Sequence, residues 1–229
     1  MIEIGLWAKD YQEIDLFNWQ EAIADMISVT ELEVELAASE GFVRRAIDRR
    51  EVQPDHTLTL GDRVYHYFRR DNIEKIREQL GLPKVEQHNI KDLFLRFVAE
   101  MDMSASYKPA MLLAILDCLD SHGRAKIADV VAGFRRFYEQ RHANGLVVER
   151  QTARMANVEK LDDAQIQRVM LDMPFEKFER RRYLQYARDL AFIRFDPDLW
   201  RQLKPLDLGK LRTICQESLN EYYERLKQS

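Results

Sequence analysis

Four arginines fall within the seven residues from Arg44 to Arg50 of the stretch "SEGFVRRAIDRREVQPDHTLTLGDRVYHYF". A guanidinium is a planar fork of N–H donors that pairs with phosphate oxygens and donates twice to guanine O6 and N7. Arg44, Arg45, Arg49 and Arg50 are therefore candidates for contact with a nucleic-acid backbone and base edges. Arg63, His66 and Arg69 follow in a run of alternating aromatic and polar residues and are candidates for the same work. Asp48 and Glu51 offer the arginines another use, as exposed ion pairs on a solvated helix face. Four arginines outnumber those two acids.

Further along, "FRRFYEQRH" carries Arg135 and Arg136, and "FERRRYLQYARDLAFIRF" carries Arg181 and Arg182. Bases interleaved with Phe137, Tyr138, Tyr183 and Tyr186 suit a surface that tracks a nucleic-acid backbone. They suit an amphipathic helix equally well, because the aromatics fall at core spacing. Tyr107 and Lys108, just before Pro109, read either as a binding pair or as simple capping and packing.

No catalytic set assembles, and the chain is not expected to be an enzyme or to need a cofactor. There is no GxxxxGK[ST] phosphate loop and no HNH pattern. His56, His66, His88, His122 and His142 lack metal-ligand spacing, so no metal site is expected. "FEKFE" sets Glu176 next to Lys177 in a helical stretch, the wrong spacing for the acid-x-lysine of a PD-(D/E)xK nuclease. Cys118 and Cys215 sit in apolar helical patterns and read as reduced core thiols.

The net charge is −4, but residues 1–40 hold ten acids against the one base Lys9, which is −9 and leaves +5 for the rest. An acidic total therefore does not exclude a polyanionic partner. The longest apolar stretch, "PAMLLAILDCL", is about half of a bilayer span and is broken by Asp117. The N-terminal residues carry acids where a signal peptide carries bases. A cytoplasmic protein without membrane contact is expected.

The elements that must position these residues divide into an acidic leader (1–28), a first domain (29–82) and a second (88–229). "NWQEAIADMI" spaces Trp19, Ile23, Met26 and Ile27 as a helix. In the first domain, Thr30 and Glu33 read as a capping box opening one short helix. "ASEG" makes a turn, and Phe42, Val43, Ala46 and Ile47 form the inner face of a second helix that leaves the arginines outside. Pro54 stops it, and "LTL" and "RVYHYF" are strands joined through Gly61-Asp62. "DNIEKIREQLGL" closes the domain as a helix capped by Asp71 and stopped at Gly81 and Pro83.

The second domain reads as helix throughout, apart from "FIRF" as one short extended piece. Its helical patterns are "NIKDLFLRFVAEM", "KPAMLLAILDCLDSHG", "KIADVVAGFRRFYEQRHANG", "LDDAQIQRVMLDMP", "PFEKFERRRYLQYA" and "LGKLRTICQESLNEYYERL". The expected fold class is mainly α: a winged helix-turn-helix with a short β-hairpin wing, followed by an all-helical domain.

Residues 30–82 resemble the DNA-binding module of MerR-type and excisionase-like proteins, in which a hairpin wing and another helix follow the second helix. The resemblance implies Arg44, Arg45 and Arg49 on the groove-facing helix and Arg63, His66 and Arg69 on or near the wing. Residues 104–204 resemble a helical module attached to DEAD/DEAH-type helicases and HNH-type nucleases of bacterial restriction and phage-defence loci. Ser106-Tyr107-Lys108-Pro109, "FRRFYEQR" and Pro174-Phe175-Glu176-Lys177-Phe178 carry that likeness, which implies a DNA-processing or defence setting and assigns no chemistry.

The expectation is a DNA-binding accessory subunit or operon regulator that contacts double-stranded DNA. Its second domain would dock a helicase or nuclease subunit, add DNA contacts or self-associate. Two rivals are a protein-interaction adaptor and a nuclease with a dispersed site. The −9 leader is a candidate to fold over the Arg44–Arg50 face and mask it.

Overall fold

A computed structural model describes residues 25–38 and 41–228. Trp19, Ile23, nearly all of the acidic leader and its suggested masking role lie outside the described residues, as do Ser39 and Glu40 of the expected turn. Over the described residues the protein is mainly helical with two small antiparallel sheets. It divides into two compact units: residues 25–36 with 41–83, and residues 37–38 with 84–228.

The first unit opens with strand β1 (Met26–Ser28), followed by α1 (Val29–Glu35), α2 (Phe42–Asp48), β2 (His56–Leu60), β3 (Arg63–Arg69) and α3 (Ile73–Gln79). Met26 and Ile27, expected at helical intervals, are strand residues. Ile27 lies opposite Phe68 in the β1–β3 ladder, and both side chains are buried. Two adjacent apolar residues fit either period, and the free edge of β3 decides between them.

The sheet order is β1-β3-β2, which makes β3 the central strand. The cap of α1 also differs from expectation. Ser28, not Thr30, accepts the N–H of Glu31, and the Glu31 carboxylate accepts the N–H of Ser28 at 2.8 Å, a reciprocal capping box two residues earlier. At α3 a 3-10 turn over Arg70–Asn72 leads into the helix. Asp55, rather than Asp71, holds this corner by accepting from the N–H of Arg69 at 2.9 Å and from the Asn72 amide.

The second unit contains α4 (Ile90–Ala99), α5 (Tyr107–Cys118), β4 (Arg124–Lys126), α6 (Ile127–Ala143), α7 (Asp163–Met170), α8 (Glu176–Glu179), β5 (Leu184–Ala187), β6 (Phe192–Phe195), α9 (Pro197–Gln202) and α10 (Pro205–Lys227). It is not all-helical: β4, β6 and β5 form a three-stranded antiparallel sheet in that order. "FIRF" is extended as expected, whereas "RRRYLQYA" turns out of its helix.

The cause lies at Arg182, which takes a left-handed φ of 58° while the N–H of Tyr183 bonds back to the Phe178 carbonyl. Consecutive Tyr183 and Leu184 can then both be buried. Between α7 and α8 the backbone passes through a π turn, Leu171–Phe175. Pro174 inside it has no N–H to donate and would clash with the carbonyl one α-turn back, which the wider turn relieves.

The core of this unit is strongly aromatic. Phe94 meets Tyr183 and Phe195 edge-on, with centroids 5.2 and 5.8 Å apart, Phe97 meets Phe178 edge-on at 5.2 Å, and Trp200 stacks on Phe195. Such pairs add about 0.5–1.5 kcal/mol each to the area they bury. Helices α4, α5, α6 and α10 supply most of the remaining apolar contacts. Among the described residues no helix is long and apolar enough to cross a membrane.

Candidate functional site

Helix α2 owes its place to a neighbour. Gly41 stands at its N-cap and has no side chain to satisfy the first amides; the buried carboxylate of Glu33 in α1 does so, accepting the Val43 N–H at 3.0 Å. Val43 and Ala46 are buried beneath the helix, and Arg44, Arg45 and Asp48 are turned toward its outer side, with both arginines exposed.

Only two of the four arginines are on the helix itself. Arg49 is the C-cap, and Arg50 follows in the left-handed region with φ 61°. The N–H of Glu51 bonds to the Ala46 carbonyl and that of Arg50 to the Ile47 carbonyl, both at 2.9 Å, which closes the helix in a Schellman motif. All four arginines are exposed.

Pairing with local acids accounts for little of this charge. Arg49 reaches Glu51 at 4.0 Å between two solvated side chains, an interaction worth little. No ion pair among the described residues involves Arg44, Arg45, Arg50, Arg63 or Arg69.

The hairpin pairs β2 with β3 over five residue pairs, from His56 opposite Tyr67 to Leu60 opposite Arg63. Gly61 and Asp62 make the two-residue connection, with Gly61 at φ 58°. Arg63 and Arg69 are exposed on β3. His66 is half-buried, and its Nδ1 lies 3.0 Å from the hydroxyl of its cross-strand partner Thr57, so it supports the hairpin.

In the second unit the candidates separate by their contacts. Arg135 spends its guanidinium on Asp163 at 2.8 Å, the Leu161 carbonyl at 2.7 Å and Glu139 at 3.4 Å, fastening α6 to the start of α7. Arg181 is buried, donates to the Lys177 carbonyl and lies over the Phe97 ring at 4.6 Å. Arg136 is exposed on α6, and Arg182 is exposed at the start of β5's lead-in. Tyr138 and Tyr183 are fully buried, and Phe137 and Tyr186 pack partly into the unit, so the interleaved aromatics do not form a stacking face.

Tyr107 is a core residue whose hydroxyl accepts the Met155 N–H at 3.1 Å, and burial raises its pKa. Lys108 donates to the Asp102 carbonyl at 2.8 Å and lines a cleft of about 310 Å³ with Asp102, Asp172, Glu176 and Lys177. Neither histidine nor cysteine lines that cleft. No group of three or more His, Cys, Asp or Glu among the described residues is placed to hold a metal ion.

Beside Tyr107 runs a buried polar network that no local pattern announces. The Glu149 carboxylate accepts from the Ser106 N–H at 2.9 Å, the Ser106 hydroxyl at 2.6 Å and the Tyr222 hydroxyl. The Tyr223 hydroxyl, with one hydrogen to donate, lies 3.0 Å from Ser106 Oγ and 2.9 Å from the Val148 carbonyl, and Tyr138 lies 2.9 Å from the same Oγ. The Arg141 guanidinium sits 3.3 Å above the Tyr223 ring. These contacts tie the starts of α5 and of the loop at Val148 to α6 and α10, and they satisfy a carboxylate that would otherwise be costly to bury.

One exposed face is not marked by its arginines alone. Arg63, Tyr65, Tyr67 and Arg69 alternate along β3, so they share the face opposite buried Phe68. The signal was the period of two in "RVYHYFR". Compared with known protein families, curated proteins and solved structures, the chain matches none.

Proposed function

We propose that the chain is a DNA-binding subunit whose first unit acts as a winged helix-turn-helix on duplex DNA. Arg44 and Arg45 of α2 face the major groove, Arg49 and Arg50 at its end meet phosphates, and the β2–β3 hairpin lays Arg63 and Arg69 along the backbone. The observation that carries this reading is the concentration of exposed arginines on one short helix and its cap, offset only by the solvated Arg49–Glu51 pair, in the same unit as a hairpin that carries more. A seven-residue helix is about 10 Å long, and its end fits a groove about 12 Å wide.

The second unit serves as the accessory part, docking a helicase or nuclease subunit in a DNA-processing or phage-defence setting. That assignment rests on the resemblance of its sequence. Arg136 and Arg182 are its remaining candidates for further DNA contact. Arg135, Arg181 and Tyr107 are left out of the contact set because their polar groups are already engaged within the unit.

Fluorescence anisotropy of the full chain with a short duplex across a salt series tests the proposal, beside an Arg44→Ala/Arg45→Ala/Arg49→Ala variant. The expected result is duplex binding that weakens steeply with salt, with the log–log slope smaller in the variant by about 0.9 for every phosphate it no longer neutralises. Equal binding by the variant, or no binding by either protein, overturns it in favour of an adaptor whose basic helix faces another protein.

A further inference from the structure

The solvent side of the first unit's sheet is built differently from a surface that only follows phosphates. On β3 the residues Arg63, Tyr65, Tyr67 and Arg69 point to one side, while Phe68 and, through its β1 partner, Ile27 are buried on the other. Because β3 is central, Tyr67 is flanked by β1 and β2, and Tyr65 stands beside it in the two-stranded part of the hairpin. Tyr65 is 39% exposed and Tyr67 is half-buried, so each keeps part of its side chain in water.

Cross-strand partners on this face are Leu60 opposite Arg63, Leu58 opposite Tyr65 and His56 opposite Tyr67 on β2, with Ser28 opposite Tyr67 and Met26 opposite Arg69 on β1. No carboxylate belongs to this face of the three strands; its charges are the exposed guanidiniums of Arg63 and Arg69, one at each end of the aromatic pair.

Residues two apart on a strand are separated by about 6.8 Å, so the rings of Tyr65 and Tyr67 can each take one planar group without sharing it. The run from Arg63 to Arg69 spans about 20 Å by the same rise. A polyanion with flat apolar rings between its charges matches this order of cation, ring, ring, cation. In duplex DNA the base faces are covered by their neighbours and only the edges are accessible. An unpaired strand exposes the faces themselves, and aromatic side chains bind them with little regard to sequence.

We infer that the outer face of the β1-β3-β2 sheet is a binding platform for unpaired bases of single-stranded DNA. Two bases stack on Tyr65 and Tyr67, and the flanking phosphates pair with Arg63 and Arg69. The inference goes beyond duplex binding by α2 and stands if that reading fails. Together the two surfaces would suit DNA that is partly opened, as at a fork or a displaced strand.

The test uses the full chain and fluorescent oligo-dT, with a duplex measured in parallel. Wild type is expected to bind oligo-dT with quenching of tyrosine emission, and Tyr65→Ala/Tyr67→Ala to bind at least about 5-fold more weakly for each ring removed. Tyr65→Phe/Tyr67→Phe keeps the ring faces and should bind nearly as wild type. Duplex affinity should follow Arg44 and Arg45, with Arg63 and Arg69 serving the phosphates of either ligand, so Arg44→Ala/Arg45→Ala retains the tyrosine-dependent part of oligo-dT binding.

Should the double alanine variant fold poorly, Tyr65→Ala alone, which removes an exposed ring, must still bind more weakly. The inference is overturned if wild type has no affinity for oligo-dT at low salt. It is also overturned if a folded alanine variant binds oligo-dT as well as wild type, or if the Arg44→Ala/Arg45→Ala change alone abolishes that binding. Any of these results returns the sheet face to contact with a protein partner.

Discussion

Glu33 in α1 and Val43 in α2 are joined by a carboxylate-to-amide hydrogen bond of 3.0 Å, with the carboxylate buried. The bond satisfies an amide in the first turn of the arginine helix and places a negative charge at the positive end of its backbone dipole. Position and orientation of Arg44 and Arg45 thus depend on a residue ten places before Val43.

Replacing Glu33 by alanine is expected to lower the stability of the protein by about 1–2 kcal/mol, as removal of a cap does. Glu33→Gln keeps an acceptor and should cost less. Denaturant unfolding gives the magnitude, and amide exchange at Val43 should rise before global unfolding in the alanine variant.

Among the described residues four helix ends share the Schellman closure, with Arg50, Gly81, Gly145 and Arg182 at the left-handed position. For an L-residue with a side chain that conformation costs about 1–2 kcal/mol, which glycine avoids. Arg50→Gly and Arg182→Gly should therefore each stabilise the fold by about 1 kcal/mol, and Gly81→Ala should do the reverse. If Arg50 meets a phosphate, Arg50→Gly will also lower the salt slope of duplex binding by about 0.9 despite the gain in stability.

Tyr183 carries a buried hydroxyl without a hydrogen-bond partner. Tyr183→Phe removes that polar atom while keeping the ring contacts to Phe94 and Phe97, and it should raise stability at neutral pH by about 1 kcal/mol.

Its titration gives an independent check. Burial pushes the Tyr183 phenol from 10.0 up to about 12. Below pH 10 it is protonated folded or unfolded and its preference for the folded state is fully present. Between 10 and about 12 the unfolded chain releases the proton while the folded chain holds it, so stability falls with rising pH by about 1.4 kcal/mol per unit for this group. Tyr223 and Cys215, likewise pushed up to about 12 by burial, add to the same alkaline decline. Denaturant midpoints measured from about pH 9 to about pH 11.5 should drop in wild type and drop less steeply in Tyr183→Phe.

Gly123 has φ 71° and lies so close to Trp200 that a β-carbon would collide with the indole. The ring cannot move aside easily, because it is stacked on Phe195. Gly123→Ala should cost about 2–4 kcal/mol from overpacking and backbone strain, and should shift tryptophan emission in the folded state. Thermal unfolding followed by fluorescence reads both effects.

Local information sufficed wherever a signal was contained within a few residues. The α6 pattern of "KIADVVAGFRRFYEQRHA", the Gly61-Asp62 hairpin and the Gly81 stop were all legible in sequence, because periodicity, turn chemistry and capping act over one or two helical turns. The clustering of Arg44 to Arg50 and the alternation of Arg63, Tyr65, Tyr67 and Arg69 belong to the same class.

What only the tertiary structure decided were matters of pairing between distant residues. Met26 and Ile27 became a strand because β3 offered them an edge, and "RRRYLQYA" left its helix because Leu184 to Ala187 found β6 to pair with. The fates of the arginines were settled in the same way. Apart from Glu139 one turn after Arg135, nothing near Arg135 or Arg181 in sequence marks their roles, yet Asp163 and the Leu161 carbonyl hold the first and the Phe97 ring lies under the second. A side chain's charge is encoded in its own residue, but whether that charge is free for a partner depends on which neighbours folding brings within hydrogen-bonding reach.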